Sequence, residues 1–591
     1  MNEFNSLMKI GKKLVKNGFP NNKDKKIRIA VLGSSSIQHF VIFLRAILYK
    51  NGVQADIYEG EYNGIHMDVY DQNSALYQFD PDYVLLLTHY TDIREYPALL
   101  SSSGEVENLC NSTLDVCANI WSALKKKLPN VRIIQSNYVI PPEHLLGNLE
   151  RQAVYSRTSF LNLLNTRMTE TKPDMVSIVD LDLISNYVGK YNWFDYPAYF
   201  LNKAGFRLDY LPKAANAYAD VILLQQGKIR KCLVLDLDNT IWGGTVGDLG
   251  WDGIMLDPNE ATGEAYRYFQ QYVLALKERG VILAVCSKNE KDIAQEAFEK
   301  NPYMILHMDD IACFTANWQD KATNIKHIAE ELNIGLDSLV FFDDNPAERE
   351  IVASCLPEVE VIDVPDDPAL YVTALDSSNP FQWLELTKED VARSNSYIEN
   401  RKRSAMSEQF VDYNAYLKAL EMYGRVVVID EKKAVRFTQL LNKSNQFNLR
   451  TERYTEGEIR TMLDDSRYSL LGFELKDKFS DYGIISCVII EWQNKKCFLR
   501  SWVMSCRVLK RGVELMLFEK ICQLAREKSV TQIDGEYLPS KKNKLVAAFL
   551  DSLGFSLTAT KEDGSKYYQY DLTEKQVYKY YIKEMQEFEE E

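Results

Sequence analysis

Residues 232–244 read CLVLDLDNTIWGG, and this stretch decides the fold of the chain around it. The apolar run CLVL ends at Asp236 and Asp238, and an Asn-Thr pair and two glycines follow. A short apolar run that is bounded by turn residues predicts a buried strand of a parallel sheet. Polar groups at the carboxyl end of such a strand lie where open α/β sheets carry their active sites. The stretch therefore predicts an α/β domain with a site at Asp236 and Asp238.

Two further apolar runs of the same region also end in polar residues. The run VILAVCS, at 281–287, ends at Ser287, and SLVFFDD, at 338–344, ends at two aspartates. Between them Lys321 begins a predicted helix. A single Asx-rich turn or a single lysine would be an ordinary structural feature. Three strand ends and a lysine in this order favour one catalytic site.

These residue types suit phosphoryl transfer with a bound Mg²⁺. Of two carboxylates spaced two residues apart, one can attack phosphorus and the other can act as acid and base. A hydroxyl and an ammonium group can bind the phosphoryl oxygens, and further carboxylates can hold the metal. Either Asp236 or Asp238 can be the nucleophile and the other the acid and base. Ser287 and Lys321 are the predicted phosphate ligands, and Asp343 and Asp344 can hold Mg²⁺ opposite Asp236.

The amino-acid composition and net charge exclude some classes of function. The 591 residues carry 69 basic and 84 acidic side chains, a net charge of −15, which argues against nucleic-acid binding. A small phosphorylated substrate remains compatible, because a metal ion supplies local positive charge. No apolar run is long enough to span a membrane, and the first residues are too polar for a signal peptide. Ten cysteines without a Cys-x-x-Cys pair fit a reducing compartment, so we expect a cytoplasmic protein.

The alternation of apolar runs and helical patterns predicts a multidomain α/β protein. Residues 1–226 are expected to form an α/β domain that is SGNH-like or flavodoxin-like, and residues 227–370 the phosphotransferase domain. A helical connector at 371–420, an α+β domain at 421–575 and an acidic tail at 576–591 complete the prediction.

Several long motifs carry a family resemblance. They are DLDNTIWGGTVGD, VCSKNEKD, NIGLDSLVFFDDNPAERE, NKSNQFNLRTERY and SCRVLKRGVE. The central domain resembles the haloacid dehalogenase-type phosphotransferases, and nearly the whole chain resembles the FkbH-like proteins of polyketide pathways. The resemblance implies a Rossmann-like central domain without a large cap. It also implies that Asp236 is the nucleophile, Asp238 the acid/base, and Ser287 and Lys321 the phosphate ligands. Mg²⁺ would be held by Asp236, the backbone of Asp238 and one or both of Asp343 and Asp344.

The resemblance also implies a reaction. FkbH-like proteins take a glyceryl unit from 1,3-bisphosphoglycerate, remove phosphate and load the unit onto an acyl carrier protein through a cysteine thioester. Cys286 and Cys506 are the two candidates for that cysteine. Alternation along a strand would turn Cys286 to the core if Ser287 faces the phosphate. Cys506 precedes a predicted helix start, which can lower a thiol pKa. The alternative for either cysteine is a small, buried apolar side chain, as most free cysteines are.

Residues 506–514, CRVLKRGVE, join a predicted strand to a helix and resemble the pyrophosphate loop of Gcn5-related N-acetyltransferases (GNAT). The resemblance implies that Arg507, Lys510 and Gly512 hold coenzyme A or a phosphopantetheine thioester, because backbone N–H groups at a helix start bind phosphate. Lys510 replaces the first glycine of that loop, so its side chain either blocks the pyrophosphate or adds charge to the site.

The first domain weakly resembles SGNH-type hydrolases through Gly33 and Ser34–Ser36 after a predicted strand. A serine hydrolase needs a base, and no histidine occupies the third place after Asp195. The serine-rich turn is therefore interpreted as a helix cap in a degenerate docking module.

Three functions remain open at this point. The first is an acyl-loading enzyme that couples phosphatase chemistry to glyceryl transfer. The second is a phosphatase of a small metabolite joined to an independent N-acyltransferase. The third is a non-catalytic scaffold, which the complete set of acidic and basic site residues disfavours.

Overall fold

The structure is a computed structural model, and it describes residues 2–19, 26–391, 393, 397, 399, 412–505, 508–540, 542–573 and 576–585. The chain divides into two compact units, one of Met1–Gln225 with Thr455–Glu458 and one of Gln226–Tyr454 with Ile459–Glu591. Among the described residues, every helix is too short or too polar to cross a membrane.

The first unit is built on a five-stranded parallel sheet with the strand order β2-β1-β3-β4-β5. Its strands are β1 (Lys26–Gly33), β2 (Gln54–Glu59), β3 (Tyr83–Leu87), β4 (Arg132–Ser136) and β5 (Val176–Val179). Its helices are α1 (Asn2–Asn17), α2 (Gln38–Lys50), α3 (Ile65–Tyr70), α4 (Ala75–Phe79), α5 (Ser103–Lys127), α6 (Arg157–Thr171), α7 (Leu181–Val188), α8 (Lys190–Trp193), α9 (Tyr196–Asn202) and α10 (Leu211–Gln225).

This strand order is the flavodoxin-like one of doubly wound sheets. All five side chains of β3 are buried, because helices cover both faces of the sheet. One apolar cluster contains Phe40 and Tyr218 from α2 and α10, and a second contains Trp121 and Phe160 from α5 and α6. The predicted alternation of strands and helices is thereby confirmed for this unit.

The second unit begins with another parallel sheet, in the order β10-β9-β6-β7-β8. Its strands are β6 (Cys232–Leu235), β7 (Ile282–Ser287), β8 (Cys313–Ala316), β9 (Leu339–Phe342) and β10 (Glu360–Val361). Its helices are α11 (Val246–Gly253), α12 (Ala261–Glu278), α13 (Lys291–Lys300), α14 (Lys321–Glu331), α15 (Pro346–Cys355) and α16 (Tyr371–Ser378), and α17 (Lys388–Val391) follows. Strand β6, which the opening stretch predicts, lies at the centre of this sheet.

An eight-stranded sheet forms the rest of the second unit, in the order β16-β17-β15-β14-β13-β12-β11-β18. The strands are β11 (Tyr423–Val428), β12 (Tyr468–Lys476), β13 (Asp481–Gln493), β14 (Lys496–Met504), β15 (Gln532–Tyr537), β16 (Ser556–Thr560), β17 (Lys566–Asp571) and β18 (Lys583–Glu584). The helices are α18 (Tyr413–Ala419), α19 (Glu431–Lys443), α20 (Glu456–Leu463), α21 (Val513–Glu527) and α22 (Phe549–Ser552).

In this sheet β11 to β14 are antiparallel neighbours, β15 runs parallel to β14, and β17 returns antiparallel to β15. The result is the predicted α+β domain, and the multidomain α/β fold class is confirmed. Within the predicted helical connector at 371–420 the structure describes the helices α16, α17 and α18. Residues 392, 394–396, 398 and 400–411 of the connector lie outside the described residues.

The prediction of an acidic tail at 576–591 needs a correction, because part of this segment is structured. Lys583 and Glu584 form β18, which pairs in parallel with Tyr423 and Gly424 of β11. Ile582 is buried in the core of the eight-stranded sheet, and apolar burial of this kind fixes a terminal segment. The acidic stretch 586–591 lies outside the described residues.

Candidate active site

The site of the central domain is formed by the carboxyl ends of neighbouring strands. Leu235, the last residue of β6, pairs with Val285 of β7 on one side and with Phe342 of β9 on the other. Because parallel strands in register end at one edge, the residues after them meet there. The backbone N–H of Asp236 also donates to the carbonyl of Phe342 at 3.0 Å, which fixes the level at which the Asp236 side chain leaves the sheet.

Lys321 links two of the carboxylates. It is the first residue of α14, which Asp320 caps by accepting from the N–H of Thr323, and its side chain is buried. The Lys321 ammonium lies 3.0 Å from Oδ2 of Asp236 and also donates a short hydrogen bond to Asp343. Burial alone would lower the pKa of Lys321, but the charges of Asp236 and Asp343 raise it above its usual value. The lysine therefore carries its charge inside the site.

A group of carboxylates fits a divalent metal. Ligand oxygens of Asp236, Asp343 and Asp344 lie within 4.8 Å of one another. Oδ1 of Asp236 is buried and accepts no hydrogen bond from any described residue, so this atom is available to a metal ion. Hard oxygen ligands in this number suit Mg²⁺, which is held by one or a few carboxylates. Burial and the charge of Asp236 raise the pKa of Asp343 to about 6, against the opposing charge of Lys321.

Asp238 lies beside this group with its carboxylate oriented by three donors. Its Oδ1 accepts from the indole N–H of Trp242 and from the backbone N–H of Val246, both at 2.9 Å. Its Oδ2 accepts from Nδ2 of Asn289, also at 2.9 Å. Asp238 is not among the three carboxylates that fit a metal, and a carboxylate with donors of its own suits an acid/base. The predicted contact of its backbone with Mg²⁺ stays a prediction.

Asn289 is a site residue that sequence reasoning missed. Its amide contacts Asp238 and also donates to Oγ of Ser287 at 3.2 Å, so it connects the acid/base with the predicted phosphate ligand. Ser287 itself is nearly fully buried at the end of β7. The motif VCSKNEKD contains Asn289 two residues after Ser287, and this spacing was the available signal.

The assignment of an acyl-carrying thiol to Cys286 is wrong on this geometry. Cys286 is fully buried on the opposite face of β7, in an apolar cluster with Val234 and Ile325. Burial raises the pKa of Cys286 to about 12, so its thiol is protonated at neutral pH. The alternation of side chains along β7 turns Ser287 to the site and Cys286 to the core. The alternative, Cys506, lies outside the described residues.

The predicted cofactor loop of the C-terminal sheet is only partly described, and Arg507 lies outside the described residues. Lys510 has an exposed side chain and a left-handed backbone with φ of 63°, and its carbonyl accepts from the hydroxyl of Tyr413 at 2.9 Å. Gly512, with φ of 86°, begins α21, and a Cβ there would lie 3.1 Å from Cβ of Tyr580. Lys510 thus adopts a backbone conformation that glycine reaches more easily.

The same sheet has an opening between β14 and β15 that the chain itself fills. The two strands pair only from Lys496 to Leu499, and beyond that point the segment 447–449 lies between them. Met504 donates to the carbonyl of Phe447, and Leu449 donates to the carbonyl of Trp502. On the other side Leu538 donates to the carbonyl of Leu449 at 2.9 Å. An extended ligand that paired with this edge of β14 would have to displace the segment 447–449.

In the first unit the serine-rich turn has no partner for hydrolysis. Oγ of Ser34 donates to Asp92 at 2.6 Å, and Nδ1 of His89 pairs with Oγ1 of Thr91 at 2.8 Å. No hydrogen bond of the described residues joins Ser34, Ser35 or Ser36 to a histidine. The interpretation of this domain as a degenerate module stays a prediction, and the SGNH-like resemblance gains no support from this arrangement.

Comparisons with known proteins identify relatives of both the first unit and the central domain. The family model for the FkbH N-terminal domain matches residues 28–223. The N-terminal part of the protein BF1531 from Bacteroides fragilis, solved with its phosphatase domain complexed with Mg, is 35% identical. That match covers 65% of this chain and 99% of the solved chain, with a TM-score of 0.58. No curated protein matches the sequence.

Acetyltransferase structures also match the C-terminal part. They include the ribosomal-protein-S18-alanine N-acetyltransferase from Escherichia coli, with 13% identity over 27% of this chain and 99% of that chain, at a TM-score of 0.21. The GNAT domain of S. lividans PAT matches with 18% identity over 25% of this chain and 90% of that chain, at a TM-score of 0.20. Scores this low support no conclusion about activity. The long, 35%-identical match and the N-terminal family model are sufficient: the chain belongs to the FkbH-like family of enzymes, and its central domain is of the haloacid dehalogenase phosphatase type.

Proposed function

We propose that this chain is a Mg²⁺-dependent phosphatase and glyceryl transferase that acts on a phosphoglyceryl donor such as 1,3-bisphosphoglycerate. It loads the glyceryl unit onto an acyl carrier protein in the cytoplasm. The observation that carries the proposal is the joint placement of Asp236, Lys321, Asp343 and Asp344 at one sheet edge. The relatives named above support the phosphatase part, and the donor and the carrier follow from the family resemblance.

Each residue of the site has its own role in the phosphatase reaction. Oδ1 of Asp236 has no competing hydrogen bond and attacks phosphorus, which forms an aspartyl-phosphate as the ester oxygen leaves. Asp238 protonates that oxygen and afterwards removes a proton from the water that hydrolyses the intermediate. Lys321 and Ser287 hold phosphoryl oxygens. A bound Mg²⁺, held by Asp236, Asp343 and Asp344, would reduce the repulsion between carboxylate and phosphate.

The acyl step needs a thiol; burial disfavours Cys286, and Cys506 stays a candidate for it. If no cysteine of the chain carries the acyl group, the phosphopantetheine thiol of the carrier is the direct acceptor. The acceptor sulfur bonds to the acyl carbon, the bond from that carbon to the phosphate oxygen breaks, and inorganic phosphate leaves with the electron pair and takes up the thiol proton. Asp236 attacks the second phosphate, which is an ester. Only α11, of eight residues, lies between β6 and α12, so no large cap covers the site against a carrier arm.

A second function is favoured by the filled opening between β14 and β15. If no extended thioester ligand enters there, the chain is a phosphatase of a small metabolite, and the C-terminal domain has another role. The two functions differ in one observable, the mass of the carrier. We expect a carrier protein that is incubated with the enzyme, Mg²⁺ and 1,3-bisphosphoglycerate to gain a glyceryl unit in intact-mass spectra.

The experiment that tests the phosphatase core replaces Asp236 with Asn. We expect phosphate release to vanish, whereas Asp248→Asn, which changes an exposed aspartate of α11, should leave it unchanged. Unchanged release by Asp236→Asn would refute the assignment of the nucleophile. Phosphate release without a mass gain on the carrier would leave only the second function.

A further inference from the structure

Two buried tyrosines hold the turn that follows β6. The hydroxyl of Tyr371 donates to the backbone carbonyl of Asn239 at 2.8 Å, and the hydroxyl of Tyr266 donates to the same oxygen at 3.4 Å. Tyr371 begins α16 and Tyr266 lies in α12, and the two residues are 1% and 5% exposed. A buried phenol hydroxyl needs a hydrogen-bond partner, and both find it at this one carbonyl. Two helices without a predicted site residue therefore contact the turn next to the nucleophile.

The backbone of this turn has a conformation that needs support. Asn239 is left-handed, with φ of 52°, a region that costs energy for a residue with a Cβ. Its side-chain oxygen accepts from the N–H of Gly244 at 2.8 Å. In the peptide unit between Asn239 and Thr240, the N–H donates to the carbonyl of Leu237 at 3.1 Å, and the carbonyl accepts from the tyrosines. The orientation of this peptide is therefore fixed by hydrogen bonds at both of its polar groups.

The residues on either side of this peptide take part in the proposed chemistry. Asp238 precedes it and is the proposed acid/base. Thr240 follows it and is fully buried; its Oγ1 donates to Oδ1 of Asp344 and accepts from the backbone N–H of Asp344, both at 3.2 Å. Asp344 is one of the three carboxylates that fit Mg²⁺. A rotation of the peptide between Asn239 and Thr240 would therefore displace a support of the metal site.

Tyr371 also packs against the strand that leads to the metal-fitting aspartates. The centroid of its ring lies 5.4 Å from that of Phe342, the last residue of β9, and 5.5 Å from that of Phe269 in α12. Both contacts are edge-to-face, an arrangement that stabilises aromatic pairs. Asp343 and Asp344 follow Phe342 directly. A single side chain thus links the turn after β6 with the end of β9.

We propose that Tyr371 is a positioning residue for the metal site, because its hydroxyl holds the turn at Asn239 and so keeps Thr240 and Asp344 in the arrangement that binds Mg²⁺. The inference rests on the proposed Mg²⁺-dependent function and adds to it a residue that does not contact the metal. Without the hydroxyl the turn populates other peptide orientations. The apparent affinity for the metal then falls with the fraction of molecules that keep the binding arrangement.

Binding of Mn²⁺ to the full-length protein tests this inference without a turnover assay. Mn²⁺ prefers the same oxygen ligands as Mg²⁺, and electron paramagnetic resonance measures its free concentration. The binding that is lost in Asp343→Asn defines the share of Mn²⁺ held by the metal site. We expect Tyr371→Phe, which keeps the ring, to raise the dissociation constant of that site roughly three- to tenfold, since one hydrogen bond no longer holds the turn. An unchanged dissociation constant would overturn the proposal.

Tyr272→Phe is the matched control for this variant. Tyr272 of α12 donates to Oδ1 of Asp376 in α16 at 2.8 Å, so it joins the same two helices. It lies six residues, about 9 Å, along α12 from Tyr266 and the turn. The control should bind Mn²⁺ as the wild type does. An equal loss in Tyr272→Phe would trace the effect to the packing of the helices, and Tyr371 would have no specific role.

Tyr266→Phe is a second variant that tests the same turn. Its hydrogen bond is longer, so it should weaken Mn²⁺ binding less than Tyr371→Phe does, and the double variant should weaken it more than either change alone. A double variant that binds Mn²⁺ like the wild type would contradict any role of this turn, even if one single variant were unstable.

Phosphate release provides a readout that separates metal binding from chemistry. In Tyr371→Phe the Mg²⁺ concentration for half-maximal turnover should rise by the same factor as the dissociation constant, and saturating Mg²⁺ should restore the turnover. A loss that saturating Mg²⁺ does not restore would contradict a role through the metal. Wild-type protein that bound no Mn²⁺ at this site would refute the proposed Mg²⁺-dependent function, whereas normal wild-type binding with an unaffected variant refutes only the role of Tyr371.

Discussion

At the scale of single residues, each carboxylate of the active site has its own hydrogen-bond and ion-pair partners. Asp236 shares Lys321 with Asp343, Asp344 accepts from Oγ1 of Thr240 at 3.2 Å, and Asp238 has three donors of its own. The two-residue spacing at a strand end predicted that two carboxylates divide the roles of nucleophile and acid/base. The role of Asn289 was missed, because its place two residues after Ser287 does not by itself show that its amide orients a carboxylate across the site.

Replacing Asn289 with Ala tests its role as a positioning residue. The change removes a hydrogen bond to a carboxylate, a type worth about 1.5–3 kcal/mol, so we expect phosphate release to slow roughly 10- to 100-fold. The pH profile of turnover should change as well, because the carboxylate that acts as acid and base loses one of its hydrogen-bond donors. Asn301→Ala, which removes a buried amide bonded to the Trp251 carbonyl, is the matched control and should keep both turnover and profile.

A second residue-scale prediction concerns acid stability of the first unit. Burial lowers the pKa of His89 to about 4, against an ordinary value near 6.5. Below pH 6.5 the unfolded state therefore binds a proton that the folded state does not, and stability falls as the pH decreases from 6.5 to 4. The loss amounts to about 3 kcal/mol by pH 4.

Hydrogen exchange in β3, corrected for the intrinsic pH effect, measures this stability in the full chain. We expect the pH dependence between 6.5 and 4 to be smaller in His89→Gln by about the stated amount. An identical dependence in both proteins would mean that other groups cause the acid loss.

At the scale of elements, strands were easier to predict than the connections that fill gaps between them. CLVL, VILAVC and SLVFF are apolar runs at strand length, and all three form neighbouring strands of one sheet. The alternation along β7 also indicated that Cys286 and Ser287 face opposite sides. The insertion of 447–449 between β14 and β15 was not predictable, because it depends on long-range backbone pairing that local patterns do not encode.

Asn543 holds that inserted segment, and its replacement by Ala should loosen it. The fully buried amide donates to the carbonyls of Asn448 and Leu538 at 2.9 and 2.8 Å and accepts from the N–H of Ser540 at 2.7 Å. Unmade buried hydrogen bonds cost about 1–3 kcal/mol each, so we expect a destabilisation of roughly 3 kcal/mol. Faster amide exchange at Leu449 and Met504 would show it, while exchange in β3 should not change. Unaltered exchange at both amides would mean that the segment is held by other contacts.

At the scale of the whole molecule, composition averages out local charge. The net charge of −15 does not show that Asp236, Asp343 and Asp344 gather at one edge of a sheet. The fold class followed from strand–helix alternation and motif resemblance. Which distant side chains hold the turn at Asn239 depends on tertiary packing, and the sequence offered no local signal for it.

Binding of Mg²⁺ should therefore stabilise the second unit and not the first. Burial and the charge of Asp236 raise the pKa of Asp343 to about 6 in the metal-free protein, so a proton and a metal compete for it. Above pH 6 the carboxylates repel one another, and Mg²⁺ at 100 times its dissociation constant should add about 2.7 kcal/mol. Below pH 6 protonation of Asp343 weakens metal binding, and the stabilisation by Mg²⁺ should become smaller.

Hydrogen exchange with Mg²⁺ or with chelator, at pH 7.5 and 5.5, measures this stabilisation separately in β3 and β6. Asp343→Asn should abolish it in β6, and an equal gain in β3 would contradict a site confined to the central domain.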